Sequence, residues 1–134
     1  MTVRISRCIH AQLMELAQAS PAQEICGILL GQGEHVTGWT ATANVADDPA
    51  RRFEIDPAVL IAAHRAARQG GPVILGSYHS HPGGSVEPSA CDAGLANPDG
   101  SLWLILSPPA YGLWRAGETG LHGRFLAETI ELTD

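Results

Sequence analysis

His79 and His81 stand one residue apart at the end of an apolar run, and Asp92 follows with ten residues between it and His81. Alternate side chains of a β-strand share a face, so both imidazoles can reach one ion while Ser80 points away. Pro82 biases His81 toward extended geometry and ends the strand. Gly83, Gly84 and Pro88 let the chain turn back, and a short helix from Ser89 would present Asp92 in its first turn. Two neutral imidazoles and a carboxylate suit zinc, one ion per chain, and three protein ligands leave a fourth position for water, as in a catalytic site. Each residue alone has a plainer explanation. A single strand histidine is most often a satisfied or half-exposed polar side chain, and Ser89 with Asp92 reads as a helix-capping pair. Capping does not explain two histidines facing one way just upstream, so the joint pattern favours the metal.

The elements that must hold these residues can be read from periodicity. Val3 to Ile5 is a short strand, and Arg7 to Ala19 is a helix with Ile9, Leu13, Leu16 and Ala17 on one face. Glu24 to Gly31 forms an apolar, strand-like run, and His35 to Val45 alternates as a strand that pairs with it. Asp47, Asp48 and Pro49 mark a loop, and Phe53 and Ile55 a brief strand. Asp56 and Pro57 are the cap and first position of a second main helix, which runs to about Gln69 before Gly70 and Gly71. Val73 to His81 begins apolar and delivers the histidine pair to a sheet edge. Ser101 to Ser107, Tyr111 to Arg115 and Leu121 to Leu132 complete the strands, with turns around Gly117 and Gly120. Trp103 and Trp114 read as core or rim packing and His64 as a helix-surface residue. The expected fold is α/β: a mixed, curved sheet flanked by two main helices, with a short helix after the histidine loop.

His-Ser-His-Pro, six residues, Ser, two residues and Asp together resemble the signature of the JAMM metalloproteases, the catalytically competent branch of the MPN (JAB) domain family. That signature also calls for an upstream glutamate, and Glu24 in Glu24-Ile25-Cys26-Gly27 matches it. The resemblance covers most of the chain, about Val3 to Arg115 by element order. It implies zinc on His79, His81 and Asp92, Glu24 as general base outside the ligand set, and Ser89 as a hydrogen-bond donor to the oxyanion. The implied nucleophile is water, and the implied fold is the deaminase-like MPN architecture. Eukaryotic members cleave isopeptide bonds to ubiquitin. Compact bacterial stand-alone members act on ubiquitin-like sulfur carriers, removing residues or an adduct beyond the Gly-Gly tail, and the expectation here is a peptidase or isopeptidase at such a tail, which could pair with a sheet edge near the zinc. Two other classes stay open. Many MPN relatives are metal-free scaffolds, which the intact residue set argues against, and a zinc deaminase would need a Pro-Cys-x-x-Cys pair that this chain lacks.

Bulk properties fit that expectation. With 134 residues, 45% hydrophobic and 16% charged, the chain reads as one globular domain, residues 1–134. A formal charge of −6, with eight scattered basic residues, argues against nucleic acid as a partner. His10, Gln12 and Glu15 interrupt any secretory core, and no run is apolar enough to span a bilayer, so a cytoplasmic protein without membrane association is expected. Cys8, Cys26 and Cys91 are odd in number and lack paired spacing, which argues against a disulfide framework. Cys91 beside Asp92 reads as an accidental neighbour rather than a spare ligand. The oligomeric state is left open, a homodimer included.

Overall fold

The short first strand decides the architecture. In the computed structural model, which describes residues 2–134, β1 (Thr2–Ser6) runs parallel to two strands that lie far apart in sequence. These are β3 (His35–Thr42), through Arg4 and Ile5, and β7 (Phe125–Thr133), through five consecutive pairs. Between them lie β2 (Cys26–Gln32), β4 (Val73–Ser80), β5 (Leu102–Ser107) and β6 (Ala110–Leu121). The order β1-β3-β2-β4-β5-β6-β7 therefore closes into a seven-stranded barrel.

Closure overturns the expectation of a curved sheet flanked by two main helices. β1 bonds on both sides, to β7 along its whole length and to β3 through Arg4 and Ile5, so the two ends of the sheet meet. The helices also differ in kind. α1 (Arg7–Gln18), capped by Ser6 accepting the Ile9 N–H at 3.1 Å, buries Leu13 and Ala17 in the core that the strands turn inward. That core takes Val3 and Ile5 from β1, Leu29, Val36 and Tyr78 from the next three, and Leu102, Leu104, Leu106 and Leu113 from β5 and β6. α2 (Pro57–Arg68), with Asp56 accepting the Ala58 N–H, buries none of its residues and lies outside the barrel. α3 (Ala90–Leu95) covers part of the same outer side. Among the described residues no helix is long and apolar enough to cross a membrane.

Strand alternation separates two layers. On β5, Leu102, Leu104 and Leu106 face inward while Trp103 joins Cys26, Phe53, Ala96, Ala116 and Phe125 in a second, outer cluster. On β4, Tyr78 faces inward, which sends His79 to the outer layer. The last hairpin differs from expectation in its turn. The first strand runs on to Leu121 and the second starts only at Phe125, the register slips between Ala116 and Leu121, and the reversal falls at His122 and Gly123, both with positive φ.

The parallel β4–β5 contact depends on Gly76, which sits opposite Leu102; a Cβ there would drive into the Leu102 backbone. Backbone cannot step aside as a flexible side chain can. Gly76→Ala is expected to destabilise the protein by about 2–3 kcal/mol, the upper part of the usual overpacking range. Urea unfolding measures this, and a loss under about 0.5 kcal/mol, the level of an ordinary surface change, would contradict the packing described.

Candidate metal and catalytic site

β4 and the residue that follows it carry the histidine pair, with β5 alongside. His79 is the second-last residue of β4, and its cross-strand neighbours are Cys26 on β2 and Ile105 on β5. His81 lies one residue past the strand, yet its N–H still donates to the Leu106 carbonyl at 2.9 Å, so the ladder extends one step and both rings project from the same side. The His79 ring is sandwiched in apolar surroundings: Phe53 stacks on it at 4.2 Å between centroids and 20° between planes, and Trp103 meets it edge-on. An imidazole so packed has one orientation.

Asp92 arrives from the first turn of α3. Ser89 caps that helix, its Oγ accepting the Asp92 N–H at 3.0 Å, while the Ser89 N–H donates to Asp92 Oδ2 at 2.9 Å. The same Oδ2 stands 3.3 Å from His79 Nε2 and 3.2 Å from His81 Nε2, and the two Nε2 atoms are 3.0 Å apart. Capping and convergence on the histidines are thus compatible, since one carboxylate serves both. Cys91, its neighbour, is exposed and free, outside this convergence.

Glu24 lies in the loop before β2, and long-range bonds hold its backbone. Its N–H donates to the Pro49 carbonyl at 2.8 Å, its carbonyl accepts Asn44 Nδ2 at 2.8 Å, and the next N–H, of Ile25, donates to Ser80 Oγ at 2.9 Å. Ser80, the residue between the two histidines, therefore uses its opposite orientation to seat the glutamate. Asn44 also donates to the Arg52 carbonyl and accepts the N–H groups of Ala46 and Glu54, tying down the loop that carries Phe53. Sequence patterns alone did not mark Asn44 or Phe53 as site residues. Phe53 was read as strand, and the hydrogen bonds of Asn44 span loops that no local periodicity reveals.

The site is almost fully buried, with His79 0%, Asp92 2% and Glu24 5% exposed and the His81 side chain 11%. Burial works against the Asp92 charge, but bonds from both imidazoles and the Ser89 N–H outweigh it and hold the carboxyl well below the usual carboxylate range. Burial pulls His79 down, against the pull of Asp92, so this ring is neutral. For His81 burial also lowers, but the Asp92 bond and charge and the Glu24 charge prevail, and its pKa rises. Burial pushes Glu24 up to about 7, Asp92 adding to the rise and His81 opposing it.

These donors fit a tetrahedral cation. Ligand bonds of about 2.0–2.1 Å at tetrahedral angles place neighbouring ligand atoms about 3.3 Å apart, and the triangle of His79 Nε2, His81 Nε2 and Asp92 Oδ2 has edges of 3.0, 3.2 and 3.3 Å. A looser set, with Glu24 in place of Asp92, has its ligand atoms within 4.8 Å of one another. The tighter triangle is the better ligand set, because Asp92 is an anion and Glu24, titrating near 7, is held ready to exchange a proton. In metal-free protein the Glu24 carboxyl, followed by carbon NMR, should lose its charge as pH falls through about 7, and a divalent cation should draw that midpoint down. A midpoint at the ordinary glutamate value of about 4.3 would contradict the burial argument.

The chain also matches known proteins along most of its length. A family model described as prokaryotic homologs of the JAB domain matches residues 6–117. A desampylase of Haloferax volcanii is 36% identical over 125 residues, spanning 91% of this chain and 87% of the relative. A desampylase of Pyrococcus furiosus is 29% identical over 101 residues, 75% of this chain and 71% of the relative. A protein of Desulfitobacterium hafniense solved in solution superposes with a TM-score of 0.82 at 26% identity, covering 100% of this chain and 94% of that one. A second, from Salinibacter ruber, gives 0.70 at 26% identity, over 98% and 92%. With the family model spanning residues 6–117 and the histidine, serine and aspartate pattern inside that span, the chain belongs to the JAB (MPN) domain family, in its prokaryotic branch.

Proposed function

We propose that this chain, acting as a single domain over residues 1–134, is a zinc-dependent hydrolase of the JAMM type. It would cut a peptide or isopeptide bond at the C-terminal tail of a ubiquitin-like protein of the sulfur-carrier kind. The observation that carries this reading is the buried triangle of His79, His81 and Asp92 donor atoms with the Glu24 carboxylate beside it. The two relatives named desampylases, together with the JAMM signature, support a hydrolase that acts on a ubiquitin-like protein.

His79, His81 and Asp92 would hold the ion. Zinc so held supplies Lewis acidity, enough to bring the pKa of a water to about 7 and to polarise a carbonyl. Glu24 takes the proton of the attacking water on its carboxylate and returns it to the leaving amine, a task suited to a group titrating near neutrality. Ser89 Oγ accepts the Asp92 N–H, which leaves its own O–H to donate to the developing oxyanion. Its partner is an amide and not a base, so the serine is not activated as a nucleophile.

A groove of about 530 Å³ is lined by none of these residues. It runs along the same outer layer, bounded by Ile28, Ile55, Leu60, Ser77 and Trp103, and Trp103 also meets the His79 ring. To test the substrate class, sulfur-carrier proteins with C-terminal extensions, and one joined to a lysine, are incubated with the protein and followed by mass spectrometry. Loss of the extension or the conjugate, blocked by chelator, is expected; intact substrates in every case would sink the specificity.

A further inference from the structure

The loop of residues 82–89, between β4 and α3, is tied down from both sides. His81 Nδ1 faces the Ser85 carbonyl at 3.0 Å, and Trp114 Nε1 on β6 donates to the Val86 carbonyl at 2.9 Å. A third tether is unlike these. His122, in the turn between β6 and β7, has φ 54°, and among the described residues it is the one non-glycine with positive φ. An L residue is strained there, and glycine or asparagine would fit at lower cost. The strained residue makes a contact that only a long donor can reach: its Nε2 stands 3.0 Å from the Pro88 carbonyl oxygen. A carbonyl can only accept, so Nε2 carries the proton. Pro88 is itself buried, and a buried carbonyl needs a partner.

The peptide unit so gripped is the one that aims Asp92. The Pro88 carbonyl and the Ser89 N–H belong to a single planar trans group and point in opposite directions. The Ser89 N–H donates to Asp92 Oδ2 at 2.9 Å, the same oxygen that faces both imidazoles. We infer that His122 is a positioning residue: by holding the Pro88 oxygen it fixes the plane whose N–H directs the Asp92 carboxylate toward the histidine pair. Groups that orient ligating carboxylates are part of a metal site even when they lie outside it, and here the orientation passes through one peptide group from a hairpin on the other side of the loop.

His122→Gly relieves the backbone strain and removes the donor in one step, so a role in stability and a role in positioning separate. In metal-free full-length protein the relief of strain offsets part of the cost of leaving the Pro88 carbonyl without its partner, so the thermal midpoint is expected to stay within a few degrees of the wild type. Hydrogen exchange at the Ser89 amide should nevertheless speed up about tenfold or more, while the Leu104 amide on β5 stays as protected as before. The apparent zinc Kd should rise by about 10- to 100-fold, the range for outer partners of metal ligands. His122→Asn, which tolerates the left-handed backbone but is too short to reach Pro88, should behave like the glycine variant, and His122→Gln, which keeps a side-chain N–H, should recover part of both effects. Unchanged Ser89 exchange in His122→Gly would overturn the inference, as would a loss of protection at Ser89 that only follows a fall across all amides. The zinc effect rests on Asp92 as a ligand and the exchange effect does not. Faster Ser89 exchange with unaltered zinc affinity would therefore support the tether and count against the ligand assignment.

Discussion

His81→Ala is expected to cost the protein both its zinc and its hydrolytic activity. The imidazole supplies one of three converging donors, and two donors do not hold a tetrahedral ion against a desalting column. Loss of the Lewis acid removes several kcal/mol of stabilisation at the reacting carbonyl, which at about 1.4 kcal/mol per decade is a fall of at least about 10³-fold in rate. Its side chain is 11% exposed and takes no part in either apolar cluster, so the metal-free fold should survive the truncation. Elemental analysis after loading with one equivalent of zinc, beside the rate on a cleavable substrate, reads both effects. A variant that keeps stoichiometric, tightly held zinc would contradict the assignment of His81 as a ligand.

Glu24→Gln is expected to separate chemistry from metal binding. The substitution preserves shape, and the bonds seating this residue come from its backbone N–H and carbonyl and from the N–H of Ile25, so the side chain should stay in place. Zinc content should be unchanged while the rate falls about 10²–10⁴-fold, the usual worth of a positioned general base. The variant also no longer buries a carboxylate whose pKa burial has pushed up to about 7. The sign of that linkage is definite. Between the unfolded value near 4.5 and about 7 the folded state binds the extra proton, so the Glu24 contribution to stability falls as pH rises through this window, and Gln removes the dependence. Wild-type rate with zinc still bound would exclude Glu24 as the base. Loss of zinc would instead identify the looser Glu24, His79, His81 set as the ligands.

The residues legible in the sequence were those whose geometry is local. Strand alternation puts His79 and His81 on one face within three residues, and a capping box puts Asp92 within one helical turn of Ser89. Glu24 was identified through a family signature, because its approach to the histidines depends on β2 pairing with β4, Cys26 opposite His79, which no local pattern encodes. Barrel closure was illegible for the same reason. It rests on Thr2 to Ser6 finding Thr129 to Thr133, and a five-residue strand carries no mark of which partners it will take. Asn44, Phe53 and His122 were missed because each acts on a part of the chain far from its own: on Glu24, on His79 and on Pro88. The long hairpin was misplaced because Gly117 and Gly120 read as turn residues, whereas the strand continues past both and reverses at His122 and Gly123.

Anomalous diffraction at the zinc absorption edge, from crystals grown with the metal, is the most direct measurement. A single peak per chain is expected, about 2.0–2.1 Å from His79 Nε2, His81 Nε2 and an Asp92 carboxylate oxygen, with Glu24 beyond bonding distance. No peak at that triangle, or one held elsewhere on the chain, would contradict the site.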